Sequence, residues 1–154
     1  MDIFILIIGL IVSSYFDIKK KIIPNQVILL LMSYKIITIV FFVCSKQSEL
    51  STYITNFIGL LICGGYFAIS ALLSKSIGWG DVKLMAVIGL FLGVTNGINC
   101  MVLSLFLVAV IGSILAFSAS KRKKAKGETV SKRKMAVAYA PFVLAATIAV
   151  ELVL

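Results

Sequence analysis

The chain has no histidine, three cysteines, two prolines and only six acidic residues. Without histidine, neither a Ser-His-Asp nor a Cys-His nucleophilic arrangement can be assembled. The cysteines, Cys44, Cys63 and Cys100, stand alone in apolar stretches with no C-x-x-C pair. An ordinary zinc site therefore fails on ligand number and spacing, and the three read as small apolar packing residues. No metal and no cofactor is expected. The scarcity of acids draws attention to those at the edges of apolar segments, because an ionisable group at membrane depth is costly and marks a functional site by default. Two qualify: Asp17, in Tyr15-Phe16-Asp17-Ile18-Lys19-Lys20-Lys21-Ile22-Ile23-Pro24-Asn25, and Asp81, in Gly78-Trp79-Gly80-Asp81-Val82-Lys83.

Apolar residues, by contrast, make up 61% of the 154-residue chain, with a mean hydropathy of +1.13. Soluble domains hold roughly half apolar residues, so this composition describes a polytopic, all-α membrane protein with a single domain over residues 1–154. Ile3–Phe16 is preceded by no basic region and followed by no A-x-A-like site, so it reads as a retained membrane helix rather than a cleaved signal. A crossing helix takes about 20 apolar residues, and a bundle of about six such spans is expected, at 2–18, 26–44, 53–73, 82–95, 97–118 and 136–154. The fourth is short and follows a glycine-rich turn, as a partial or tilted span would.

Basic residues orient the bundle. Thirteen of fifteen fall at alternate connections: Lys19, Lys20 and Lys21 after the first span, Lys75 and Lys83 around the third-to-fourth connection, and eight between Lys121 and Lys134. Lys46 lies on the opposite side and Lys35 inside the second span. By the positive-inside rule the three basic connections are cytoplasmic and both termini face outward. Asp17 and Asp81, 64 residues apart, then share one membrane face. The basic run from Lys121 reads as a solvated loop near anionic lipid headgroups, not as a nucleic-acid site. Lys35 reads as a structural residue that snorkels or meets a tyrosine or carbonyl within the bundle. Gly89 and Gly93, with Gly97 repeating the spacing, provide for close helix packing.

Each aspartate has an ordinary alternative. Asp17 beside three lysines fits a solvated helix end, and Asp81 fits a helix N-cap. Taken together, in glycine- and proline-marked turns at one face, they suit acid–base chemistry by a carboxylate pair. Two such groups in a low-dielectric site hold one proton between them, so the pair can hold a water, take its proton and protonate a leaving amine. Gly78 and Gly80 allow unusual backbone angles and close approach of a substrate backbone, and Pro24 is suited to start the second helix. A proton- or cation-coupled transporter that uses the same aspartates is the competing reading. The absence of repeated halves, and the position of both aspartates at the membrane face rather than its midplane, disfavour it.

The segment Gly78-x-Gly80-Asp81-x-Lys83 resembles the G-x-G-D-x-K signature of type IV prepilin peptidases. Asp17, followed by basic residues and Ile23-Pro24-Asn25, is similar to the first aspartate motif of that family, and Ala140-Pro141-Phe142 to a Pro-Phe element near its C-terminus. The resemblance implies a membrane aspartic endopeptidase with Asp17 and Asp81 as the catalytic pair, supported by Gly78, Gly80, Lys83, Pro24 and Asn25. Its implied partners are prepilins or pseudopilins, whose basic leader is removed at the cytoplasmic face of the cell membrane, and membrane lipids. Tyr15, Tyr139, Pro141 and Phe142 are the candidates for substrate contact, with interfacial anchoring the alternative for the tyrosines. The chain lacks the cysteine-bearing insertion of the bifunctional members, so it resembles the short, peptidase-only form with no N-methyltransferase activity. A former peptidase acting as an assembly factor for a pilus or secretion machine is the non-enzymatic alternative.

Overall fold

Lipid offers backbone groups no hydrogen-bond partner, so apolar segments cross it as helices or as closed barrels. In the computed structural model, which describes residues 2–20, 23–44, 50–74, 78–124 and 139–153, the chain takes the first course. Five helices account for nearly all described residues, and no strand occurs among them. They are α1 (Asp2–Lys20), α2 (Asn25–Cys44), α3 (Leu50–Ser74), α4 (Trp79–Lys124) and α5 (Ala140–Val153). The segments Asn25–Cys44, Ser51–Leu73 and Trp79–Ile114 are long and apolar enough to cross a membrane, while Ala140–Val153 is a shorter apolar helix. The expected start of the last span at 136, the lysines at 21, 46 and 75 and the basic run beyond Lys124 lie outside the described residues.

The fourth and fifth expected spans form one 46-residue helical stretch, interrupted at Gly93 with φ 74° and ψ −168°. No loop intervenes around Asn96. A single glycine suffices because only glycine enters this backbone region cheaply. The interruption is a reversal of direction. Along a straight helix Gly89 and Gly97 would stand roughly 12 Å apart, yet a Cβ built on Gly97 would lie 3.3 Å from the Gly89 Cα. The arms of α4 before and after Gly93 therefore run back alongside each other.

Small residues fasten the first arm to α3. Gly59 and Gly89 approach so closely that a Cβ on either would overlap the backbone of the other, and a Cβ on Gly64 would come within 2.8 Å of the Ala86 Cβ. The expected G-x-x-x-G thus divides its labour, with Gly89 as the packing glycine and Gly93 as the turn. A single stripe of α1, formed by Leu6, Gly9, Leu10, Ser13, Ser14 and Asp17, is buried. It meets α5, α2 and α4 around a core that includes Leu31, Phe67, Leu84, Met85, Ile88 and Val143. The outer faces are apolar too, with Phe4, Leu29, Leu61, Leu73 and Val153 widely exposed, as a surface against lipid requires. Lys35 is buried and meets Asp2 at 2.7 Å, with its ammonium 5.2 Å from the centroid of the Phe91 ring. Its partner is thus a carboxylate rather than a tyrosine or a carbonyl.

Candidate active site

At one end of the bundle the last turn of α1 meets the start of α5, and the first turn of α4 meets the start of α2. Asp17 lies within that last turn, where the partial negative charge of a helix C-terminus disfavours a carboxylate; Lys19 and Lys20 beside it suit the position. Asp17 is nevertheless only 7% exposed. Its partner comes from the other end of the chain: the Ala140 N–H, at the start of α5, donates to Asp17 Oδ2 at 3.0 Å. The partial positive charge at that helix start faces the carboxylate. The solvated-helix-end alternative is removed by this burial.

Asp81 is the third residue of α4 and not its N-cap. The Gly78 carbonyl accepts from Asp81 N–H at 3.0 Å and from Val82 N–H at 3.4 Å, making Gly78 the cap. The Asp81 carboxylate folds back toward Gly78, its Oδ2 standing 3.5 Å from the position of a Cβ there, the third-position half of a capping box. Neither Gly78 nor Gly80 has positive φ; among the described glycines only Gly93 does. What Gly80 provides is proximity, since a Cβ there would lie 3.2 Å from the Ile23 Cβ. A second link joins the same two segments: Lys83 Nζ donates to Asn25 Oδ1 at 3.0 Å. Pro24 stands just before α2, not at its first position, and its carbonyl accepts from Val27 N–H at 3.1 Å. The residues flanking the two aspartates thus clasp each other, and the charges of Asp17 and Asp81 are close enough to interact.

Tyr139 closes the site from within. Its carbonyl caps α5, accepting from Phe142 N–H at 3.1 Å and Val143 N–H at 3.3 Å. Its hydroxyl is hydrogen-bonded to Ser104 at 2.8 Å, and its ring meets Phe67 at 5.6 Å between centroids. The Tyr139 side chain therefore lies inside the bundle rather than at its surface. Tyr15 is 58% exposed and accepts from Lys19 Nζ at 3.2 Å, away from Asp17, as an interfacial anchor would be. Pro141 and Phe142 are half-buried in the first turn of α5.

Ser104 and Gly59 belong to this architecture and carried no signal in the sequence, and the Ala140-Pro141-Phe142 element gave no sign of its bond to Asp17, because each acts through a partner more than twenty residues away. Among the described residues no group of three potential metal ligands occurs. Two neighbouring carboxylates beside buried hydroxyls can share a proton and hold a water between them.

The model of the type IV leader peptidase family matches residues 4–117, and the chain belongs to that family. No curated protein and no solved structure matches it. The matched stretch contains both aspartate segments and ends before α5, so the Ala140 contact to Asp17 is a feature of this fold that lies beyond the match.

Proposed function

We propose that this member of the type IV leader peptidase family is an aspartic endopeptidase that removes the basic leader of prepilins or pseudopilins at the cytoplasmic membrane face. One observation carries the reading: carboxylates 64 residues apart in sequence are brought to one end of the bundle, where Asp17 is bound by the start of α5 and the segment around Asp81 is clasped to the start of α2. One carboxylate, ionised, takes a proton from a bound water as the oxygen attacks the scissile carbonyl; the other, protonated, donates to the carbonyl oxygen. Collapse of the tetrahedral intermediate returns a proton to the leaving amine. Ala140 N–H orients Asp17, the capping turn at Gly78 orients Asp81, and the Lys83–Asn25 and Gly80–Ile23 contacts keep the two segments in register. No methyl transfer is assigned to the chain.

The membrane arrangement follows the same reading. The reversal at Gly93 gives α4 two arms, and with α1, α2, α3 and α5 these make six crossings, with both termini outward and the pair at the inner face. The α3 helix continues from Phe67, which packs on Tyr139, for seven residues to Ser74. At the helical rise that is about 10 Å, so α3 flanks one side of the site. The ionised member of the pair offers a basic leader one acidic partner among the basic connections.

The test is cleavage of a co-expressed prepilin in membranes by the wild-type chain, Asp17→Asn and Asp81→Asn. Asparagine keeps size and polarity but cannot shuttle the proton. Wild type is expected to shorten the substrate and each variant to lose about a hundredfold to ten-thousandfold in rate, the range of a lost acid–base group. Retained cleavage by either variant at equal expression would remove that aspartate from the pair. Intact prepilin with the wild type would overturn the reading.

A further inference from the structure

Ser13 and Ser14 are buried in α1, at 0% and 8% exposure, and neither hydroxyl has a hydrogen-bond partner among the described residues. Other helical hydroxyls behave differently. Those of Ser33, Thr38, Thr55, Ser104, Ser113 and Thr147 each donate to a carbonyl three or four residues earlier, the usual way for a helix to satisfy a hydroxyl internally. Ser13 and Ser14 forgo this bond and direct two polar atoms into the bundle, where an unmade hydrogen bond is unfavourable.

Their position relates them to the acidic pair. Asp17 follows Ser13 by four residues and Ser14 by three, and all three lie on the buried stripe of α1. Side chains at these spacings stand about 5–6 Å apart at Cβ. That is long for a direct hydrogen bond between short side chains and suited to a single bridging water. A buried water requires two to four polar partners; Ser13 Oγ, Ser14 Oγ and the Asp17 carboxylate supply three. Beyond them the stripe is apolar, through Leu10, Gly9 and Leu6, so the polar region ends at the serines.

We propose that Ser13 and Ser14 form a binding site for a buried water that bridges them to the Asp17 carboxylate. They are positioning residues: the bridge holds Asp17 from beneath while the Ala140 N–H holds it from the side. The catalytic part of this proposal rests on the peptidase reading above; the water site itself does not.

The experiment uses the full chain in detergent, comparing wild type, Ser13→Ala, Ser14→Ala, the double alanine variant and Ser14→Thr by thermal unfolding and by cleavage kinetics. With a bridging water, alanine leaves Tm unchanged or lower. It also lowers kcat roughly tenfold at constant KM, the effect of one hydrogen bond of ordinary net strength, and Ser14→Thr, which keeps the hydroxyl, retains kcat. A rise in Tm of the alanine variants would mean that dry, unpartnered hydroxyls had been removed, and would overturn the water site. A fall in Tm with kcat unchanged would overturn the link to Asp17. Should the wild type cleave nothing, the peptidase reading fails, while the Tm series still decides whether the serines hold water.

Discussion

At the scale of single residues, the acidic pair is held by contacts that leave little room for substitution. The Lys83–Asn25 hydrogen bond joins the segment after Asp81 to the start of α2, at 3.0 Å. A hydrogen bond to a charged group contributes more than a neutral one, about 1.5–3 kcal/mol when shielded. This pair is exposed, which reduces the figure to about 1 kcal/mol or less. Lys83→Met and Asn25→Leu are therefore each expected to lower stability slightly, and the double variant to lose no more than the larger single change. A double-mutant cycle by thermal or chemical unfolding measures this, and additive losses would show that the two side chains act independently. Gly80 is less forgiving. Its hypothetical Cβ already stands 3.2 Å from that of Ile23, so Gly80→Val overpacks the clasp and is expected to cost about 1–3 kcal/mol. Because Gly80 adjoins Asp81, the same variant should also lose cleavage at temperatures where it remains folded, and normal cleavage by a folded Gly80→Val chain would show the clasp to be slack.

At the scale of helices, the turn at Gly93 and the approach at Gly59–Gly89 decide whether the Asp81 arm reaches its place. At φ 74° and ψ −168°, a side chain is strained by about 1–3 kcal/mol. Gly93→Ala should lower the unfolding free energy by that amount. Gly89→Ala should be the more damaging, since its Cβ would overlap backbone atoms of Gly59 that cannot rotate away. Equal or reversed losses in thermal unfolding would contradict this ordering. The helices themselves were legible in the sequence, because apolar runs of crossing length admit few structures, and so was the sharing of one end by Asp17 and Asp81, because alternate basic connections imply it. The break between the fourth and fifth spans was expected within a few residues of Gly93, but not its form. A glycine that packs and a glycine that turns look alike in G-x-x-x-G, and only the position of the neighbouring helix tells them apart. The Asp17–Ala140 bond was likewise invisible, since it joins residues 123 positions apart and one of its partners is a backbone group common to every residue type.

At the scale of the whole molecule, a second polar anchor complements the site. Asp2 opens α1, fifteen residues before Asp17, and forms an ion pair with Lys35 of α2 while the lysine lies over Phe91 of α4. Three helices that contribute to the site are thereby tied together again, away from it, which opposes sliding of α1 along its neighbours. The two charges are unequally sheltered: the side chain of Lys35 is 9% exposed and that of Asp2 35%. Removing each partner should then have unequal effects. Asp2→Asn leaves the sheltered ammonium an amide oxygen to bond but no neutralising charge, and since loss of one partner of a fully buried pair costs about 3–5 kcal/mol, a loss of about 1–3 kcal/mol is expected for this half-sheltered one. Lys35→Met leaves a carboxylate that can turn to solvent, and fills the lysine's volume with an apolar side chain, so the loss should stay near 1 kcal/mol or below, as for exposed pairs. The combined Asp2→Asn, Lys35→Met chain should recover most of what Asp2→Asn alone loses, because the stranded charge is gone. Unfolding of the three variants under one detergent condition measures the ordering. If Lys35→Met proves the most damaging and the double variant is no better than Asp2→Asn, the pair contributes by direct attraction rather than by neutralising a buried lysine.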